Sequence, residues 1–164
     1  MDLTIALTSS TLLLTVCYLI FSIYVNGWKV PQSLSETYYI FQTKGLGWLF
    51  PALMVVMAFV IMPLLSIELH GEWYQFFTFL ITILTVFTGV SYDYKKDFND
   101  SNIHYACAYI LSGVVVLLNV LENNYLCLTL STVLTIPFAL LFRKSFILFL
   151  ELALLLSLLS IIAF

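Results

Sequence analysis

The side chains able to do chemistry are few and fall into three groups. Glu151 stands alone in "LFLELAL", with leucine on both sides. About seven residues into an apolar helix, at 1.5 Å each, it lies roughly 10 Å below the helix start. A charge that deep in lipid is costly, so the residue must face a bundle interior or a water-filled cavity, or carry a proton. Thr132, Thr135, Tyr109 and Ser112 lie at comparable depth and are the expected partners. The second group is the stretch "WKVPQSLSETYYIFQTKG", 28–45, which separates two apolar runs. Its Ser33 and Glu36 fit the capping box S-x-x-E, in which the serine oxygen accepts from the glutamate N–H and the glutamate reaches back. The third is "GVSYDYKKDFNDSNIHYACAYILSG", which carries Ser91, Asp93 and His104.

Serines, carboxylates, a histidine and lysines at one membrane boundary could do acid–base work or hold a lipid phosphate. The plainer alternative is a solvated loop, since interfaces are where polar residues belong. The ligand-binding set expected on the first reading is Ser33, Ser35, Glu36, Ser91, Asp93, His104 and Glu151. No metal or cofactor is expected. "ELHGEW" brings Glu68, His70 and Glu72 together, but a tight turn offers such a trio cheaply. Catalytic zinc typically has three protein ligands, and the two histidines, His70 and His104, stand far apart in the chain. An intact zinc site like that of the alkaline-ceramidase type of intramembrane hydrolase is therefore not expected. Haem held between helices would want facing axial histidines, and these two fall at opposite faces.

The elements that must position these groups are membrane helices. Of 164 residues, 62% are hydrophobic and 9% charged, against about 25% charged in a soluble domain. Mean hydropathy is +1.06. A water-soluble fold could not bury so much apolar surface. Six segments approach the roughly 20 apolar residues a span needs: about 3–25, 46–66, 74–90, 104–121, 125–142 and 145–164. The runs are continuous rather than alternating, which argues for helices over a β-barrel. Pro51, Pro63 and Pro137 are tolerable there, because neighbours satisfy the freed carbonyls. The expected fold is all-α: a polytopic membrane protein with six transmembrane helices in an antiparallel bundle, forming a single domain. The short turns at 122–124 and 143–144 predict that the last three spans form a compact hairpin series. A short interfacial helix, about 34–43, should follow the first span, with Leu34, Tyr38 and Phe41 on one stripe. It either lies in the headgroup region or forms a polar lip over a cavity between spans.

All six basic residues, Lys29, Lys44, Lys95, Lys96, Arg143 and Lys144, fall in loops that six spans would put on one face. The positive-inside rule makes that face cytoplasmic and both termini non-cytoplasmic. Cys17, Cys107 and Cys127 lie in apolar runs without paired spacing and read as small buried hydrophobes. No cleavable leader or lipidation motif is expected. The absence of a basic patch excludes a nucleic-acid partner.

The order of "PQSLSET", "GVSYDY" and "IHYACAYILSG" resembles a six-span superfamily. It contains the damage-regulated autophagy modulators, the GPI-lipid-remodelling proteins grouped with them, and related bacterial membrane proteins. The likeness covers about residues 28–113, and Pro31, Ser33, Ser35, Glu36, Ser91 and His104 match its pattern. The chain departs in carrying Glu36 where that superfamily more usually has aspartate, and in lysines that place the first loop inside. The resemblance implies lipid-related membrane work. The expected role is non-enzymatic: binding, organising or moving a lipid or other amphipathic molecule. The alternatives are a small intramembrane enzyme acting on a lipid head group at the cytoplasmic face, and a channel or accessory subunit. Membrane lipids are the expected partners, with a homo-oligomer or larger membrane complex as a further expectation.

Overall fold

A computed structural model describes residues 3–96 and 98–163, apart from the side chains of 3, 134, 135, 138, 139 and 163. The protein is all-α, 81% helical, with no strand among the described residues. Its helices are α1 (Leu3–Val25), α2 (Thr37–Gln42), α3 (Leu49–Glu68), α4 (Glu72–Val90), α5 (Phe98–Leu121), α6 (Tyr125–Leu141) and α7 (Phe146–Ala163), with a 3₁₀ turn at Arg143–Ser145 before α7. Five of them, α1, α3, α4, α5 and α7, are long and apolar enough to cross a membrane. The other long helix, α6, has 17 residues and contains Pro137.

The packing is that of a protein whose solvent is lipid. Leu13 is 64% and Phe59 73% exposed, while Thr15 is 1% exposed and Ser22 and Asn119 are fully buried. On α1 the buried positions Thr4, Thr11, Thr15, Tyr18 and Ser22 form a stripe of steps of four, three and seven, and Leu12, Leu13 and Leu14 point out. The stripe works because small polar residues let helices approach closely when no hydrophobic force drives them together. Thr11 donates to the Leu7 carbonyl at 2.8 Å and Thr15 to that of Thr11 at 2.9 Å, while the Tyr18 hydroxyl meets that of Thr37 on α2. Trp28 and Trp48, strongly exposed, flank the connection after α1, and Trp73, also exposed, opens α4, as membrane-interface anchors would.

Helix ends follow local chemistry. After α1 the Trp28 N–H donates to the Ile23 carbonyl and the Gly27 N–H to that of Tyr24, with Gly27 and Trp28 both at φ 66°. This is a Schellman motif. The same pair of bonds closes α2 at Gly45–Leu46 and α5 at Asn123–Asn124. Close packing sets another glycine: a Cβ on Gly89 of α4 would sit 2.5 Å from that of Met54 on α3.

Four expectations need correction. α5 begins at Phe98 rather than near His104, because hydropathy marks where lipid starts rather than where a helix does, and Asp100 suits a first turn. α2 begins at Thr37 rather than at residue 34; Leu34 to Glu36 form a turn whose Leu34 carbonyl accepts the Thr37 N–H at 3.2 Å. The last three helices do not make an even hairpin series: α6 packs mainly on α7, and α5 meets α7 more than it meets α6. The cysteines are not core residues; Cys17 is exposed and Cys107 and Cys127 are half-buried.

Candidate functional site: a roofed cavity between four helices

The connection 26–48 folds back over one end of the bundle. Its anchor is the start of α7. The first N–H groups of a helix lack intrahelical partners, and Leu148 N–H finds one in the Gln32 carbonyl at 3.0 Å. Beside it Ser145 Oγ donates to the Val30 carbonyl at 3.4 Å. One turn deeper, Glu151 Oε2 accepts the Leu34 N–H at 2.6 Å. The segment from Val30 to Leu34 thus lies along the head of α7, held mostly by main chain.

The next residues form the capping turn. Glu36 N–H donates to Ser33 Oγ at 3.1 Å, as the S-x-x-E pattern predicts. The return bond differs: the Glu36 carboxylate accepts from Gln32 N–H at 2.5 Å rather than from Ser33. Ser33 and Ser35, both buried, bring their hydroxyls within 3.1 Å.

From this turn a chain of polar contacts crosses to the α4–α5 connection. Ser35 Oγ donates to Tyr94 Oη at 3.4 Å. The Tyr94 ring stacks on His104, centroids 4.3 Å apart. His104 Nδ1 lies 3.0 Å from the Thr88 carbonyl, and the Ser91 backbone also hydrogen-bonds the ring. Lys95 ties the two segments again: its Nζ is 3.5 Å from Glu36 Oε1 and 4.8 Å from the Tyr39 ring centroid, and its N–H donates to Tyr39 Oη at 2.7 Å. Burial pushes the Tyr39 phenol up to about 12, with the Lys95 bond opposing. Burial also raises the Tyr94 phenol, against hydrogen bonds from Ser35 and Ser33.

Below the roof is a cavity of about 130 Å³. Its walls come from α3, α4, α5 and α7, among them Met57, Ile61, Val115, Leu155 and Leu158. Its polar end is Glu151 and Ser35, with Leu34 beside them; Thr85, Thr88 and Ser112 are the other polar lining residues. The arrangement is a slot with apolar sides and one polar end.

The structure thus gathers Ser33, Ser35, Glu36, Ser91 and His104 around Tyr94, and Glu151 joins them through the backbone of Leu34. Among these, only Ser35 and Glu151 line the cavity. Asp93 turns toward Lys96 at 3.5 Å and lies close enough to the Tyr38 and Tyr39 phenols to help raise them. His104 makes no hydrogen bond to Ser33 or Ser35 among the described residues; Tyr94 stands between. The partners expected for Glu151 are not the ones it has. Tyr109 and Thr132 are exposed, and Ser112 donates to the Ala108 carbonyl at 2.8 Å; the Thr135 side chain lies outside the described residues. Tyr94, Tyr39 and the Leu34 N–H carry much of the site and stand outside the set of residues expected to bind. The run of tyrosines in "SYDY" was a visible signal for the first of these, whereas a backbone donor leaves none. At the far turn, His70 Nδ1 meets only the Glu68 carbonyl, at 3.2 Å, and no trio of metal-ligating side chains occurs among the described residues. Comparison with family models, curated proteins and solved structures gives no match to this chain.

Proposed function

We propose that this is a six-span, multi-pass membrane protein whose roofed cavity binds a lipid or other amphipathic molecule. In this reading α6 is the remaining span. Its 17 residues extend about 25 Å at 1.5 Å each, within the range of transmembrane helices. Six spans, alternating in direction, put the three connections that hold every lysine and the arginine on one face. Contacts between those connections support this: Lys95 pairs with Glu36, and Ser145 meets Val30. On the positive-inside rule that face is cytoplasmic and both termini are non-cytoplasmic. The resemblance of residues 28–113 to the six-span superfamily points toward the same kind of lipid-related work.

The observation that carries the reading is the shape of the cavity: apolar on its sides, polar at Glu151 and Ser35. Small-molecule sites are mostly apolar with a few placed polar groups, and an amphipathic molecule has that form. A binding role is favoured over an enzymatic one because the hydrogen bonds of the His104 ring go to main chain, leaving it unlike a base poised beside a nucleophile. Native mass spectrometry from mild detergent tests this. The wild-type protein should retain lipid, and Ala108→Phe, which fills the cavity, should lose it. Ala106→Phe, on an exposed position of the same helix, should retain it. Equal retention by both variants would place the lipid elsewhere. A partner protein copurifying in fixed stoichiometry would favour the accessory-subunit alternative.

A further inference from the structure

We infer that the cavity selects amphiphiles whose head group donates hydrogen bonds, a primary amine or a hydroxyl, and rejects anionic ones. The inference rests on the cavity-binding reading above and adds the chemistry of the head group. Three observations carry it. First, among the described residues the only charged one lining the cavity is an acid, Glu151. None of the six basic residues lines it; Lys95 and Lys96 are engaged with Glu36 and Asp93 outside. An anionic head would meet no counter-charge there.

Second, Glu151 has unused acceptor capacity. A carboxylate offers roughly four lone-pair sites. Oε2 takes one bond, from Leu34 N–H, and Oε1 has no hydrogen-bond partner among the described residues. The 2.6 Å bond to the roof fixes the carboxylate at the polar end of the slot.

Third, Ser35 is set as an acceptor as well. Its hydroxyl donates to Tyr94 Oη at 3.4 Å, which leaves its oxygen to accept from the cavity. Two acceptors and no cation at one end of an apolar slot match a donor-bearing head. An ammonium satisfies them with charge complementarity, a hydroxyl without it.

The test uses three eight-carbon probes that share a tail: octylamine, 1-octanol and octanoate. Each is added to the full-length protein in mild detergent at neutral pH. Retention is read by native mass spectrometry and by the shift in the thermal unfolding midpoint. The wild type should retain the amine and the alcohol at least ten-fold better than octanoate. Glu151→Gln, whose amide oxygen can still accept from Leu34 N–H, should lose the advantage of the amine over the alcohol while keeping the alcohol. Ser35→Ala should weaken both and leave octanoate unchanged. Octanoate retained as well as octylamine, with Ala108→Phe blocking both, would overturn the head-group selection and leave cavity binding standing. Equal retention of all three probes by wild type and Ala108→Phe would overturn cavity binding itself, and the inference with it. The wild-type comparison of amine with octanoate needs no variant, so a poorly folding substitution does not spare the proposal.

Discussion

At the scale of single residues, the polar groups act by closing main chain that the fold leaves open. Glu151 satisfies the Leu34 N–H. Glu151→Leu leaves that donor without its partner, at a cost of about 1–3 kcal/mol, so its unfolding midpoint should fall well below that of Glu151→Gln in the same detergent. Ser33 Oγ accepts the Glu36 N–H in the turn before α2; Ser33→Ala should cost about 1 kcal/mol, seen as faster proteolysis within 28–45 while the spans stay intact. Tyr39 makes a pH prediction. Burial raises its folded value to about 12, above the ordinary tyrosine value of about 10. The neutral phenol is therefore the form that the folded roof favours. Its stabilising effect is complete below pH ~10 and is lost as the pH rises toward ~12. Fluorescence of Trp28 and Trp48, which flank the roof, should change in that window, and Tyr39→Phe should abolish the Tyr39 part of the change. These residues were unevenly legible. The Ser33–Glu36 pair was readable because a capping box is local. The inward setting expected of Glu151 followed from the cost of a carboxylate among leucines. Its partner did not, since any N–H in the chain could have served.

At the scale of elements, α3 and α4 pack closely where Gly89 meets Met54. A Cβ at Gly89 would lie 2.5 Å from Met54 Cβ, so Gly89→Ala must shift one helix. Overpacking of this kind costs about 1–3 kcal/mol. The expected outcome is a lowered unfolding midpoint, with partial rescue by the double variant Gly89→Ala, Met54→Ala; no rescue would mean that the contact is relieved elsewhere. Asn119 is the corresponding feature between α5 and α7. It is fully buried and donates to the Val115 carbonyl at 2.8 Å, and lies 3.3 Å from Ser157 Oγ. Asn124 adds a bond to Ser160 Oγ at 2.8 Å. Helix stops are encoded locally, by Gly27, Gly45 and the asparagine pair at 123–124. The start of α5 is not, because a helix can run on past the membrane boundary when its polar first turn is solvated.

At the scale of the whole molecule, the contacts divide into two ends. Lys95, Glu36, Ser145 and Val30 join the basic connections at one; Asn124 with Ser160, and Tyr74 with Glu122, join turns at the other. The proposed topology predicts labelling. In a chain with Cys17, Cys107 and Cys127 replaced, a cysteine at Lys44 or Lys96 should resist an impermeant thiol reagent in intact cells, and one at His70 should react. Reaction at the first two and protection at the third would reverse the orientation, while disagreement between Lys44 and Lys96 would break the span count.

The sequence by itself determined that this chain belongs in lipid, that its elements are helices, nearly where most of them lie, and that its charged residues other than Glu151 fall at or between their ends. Each of these follows from hydropathy, local hydrogen bonding and the cost of charge in hydrocarbon, which act over a few residues or on the run as a whole. Only the tertiary structure decided that residues 30–36 roof a cavity, that Tyr94 bridges Ser35 to His104, and that α5 meets α7 more than it meets α6. Those outcomes depend on which side chains fill the space between helices. The residues along a span mark which face turns inward, as the polar stripe on α1 does, but not which helix packs against that face.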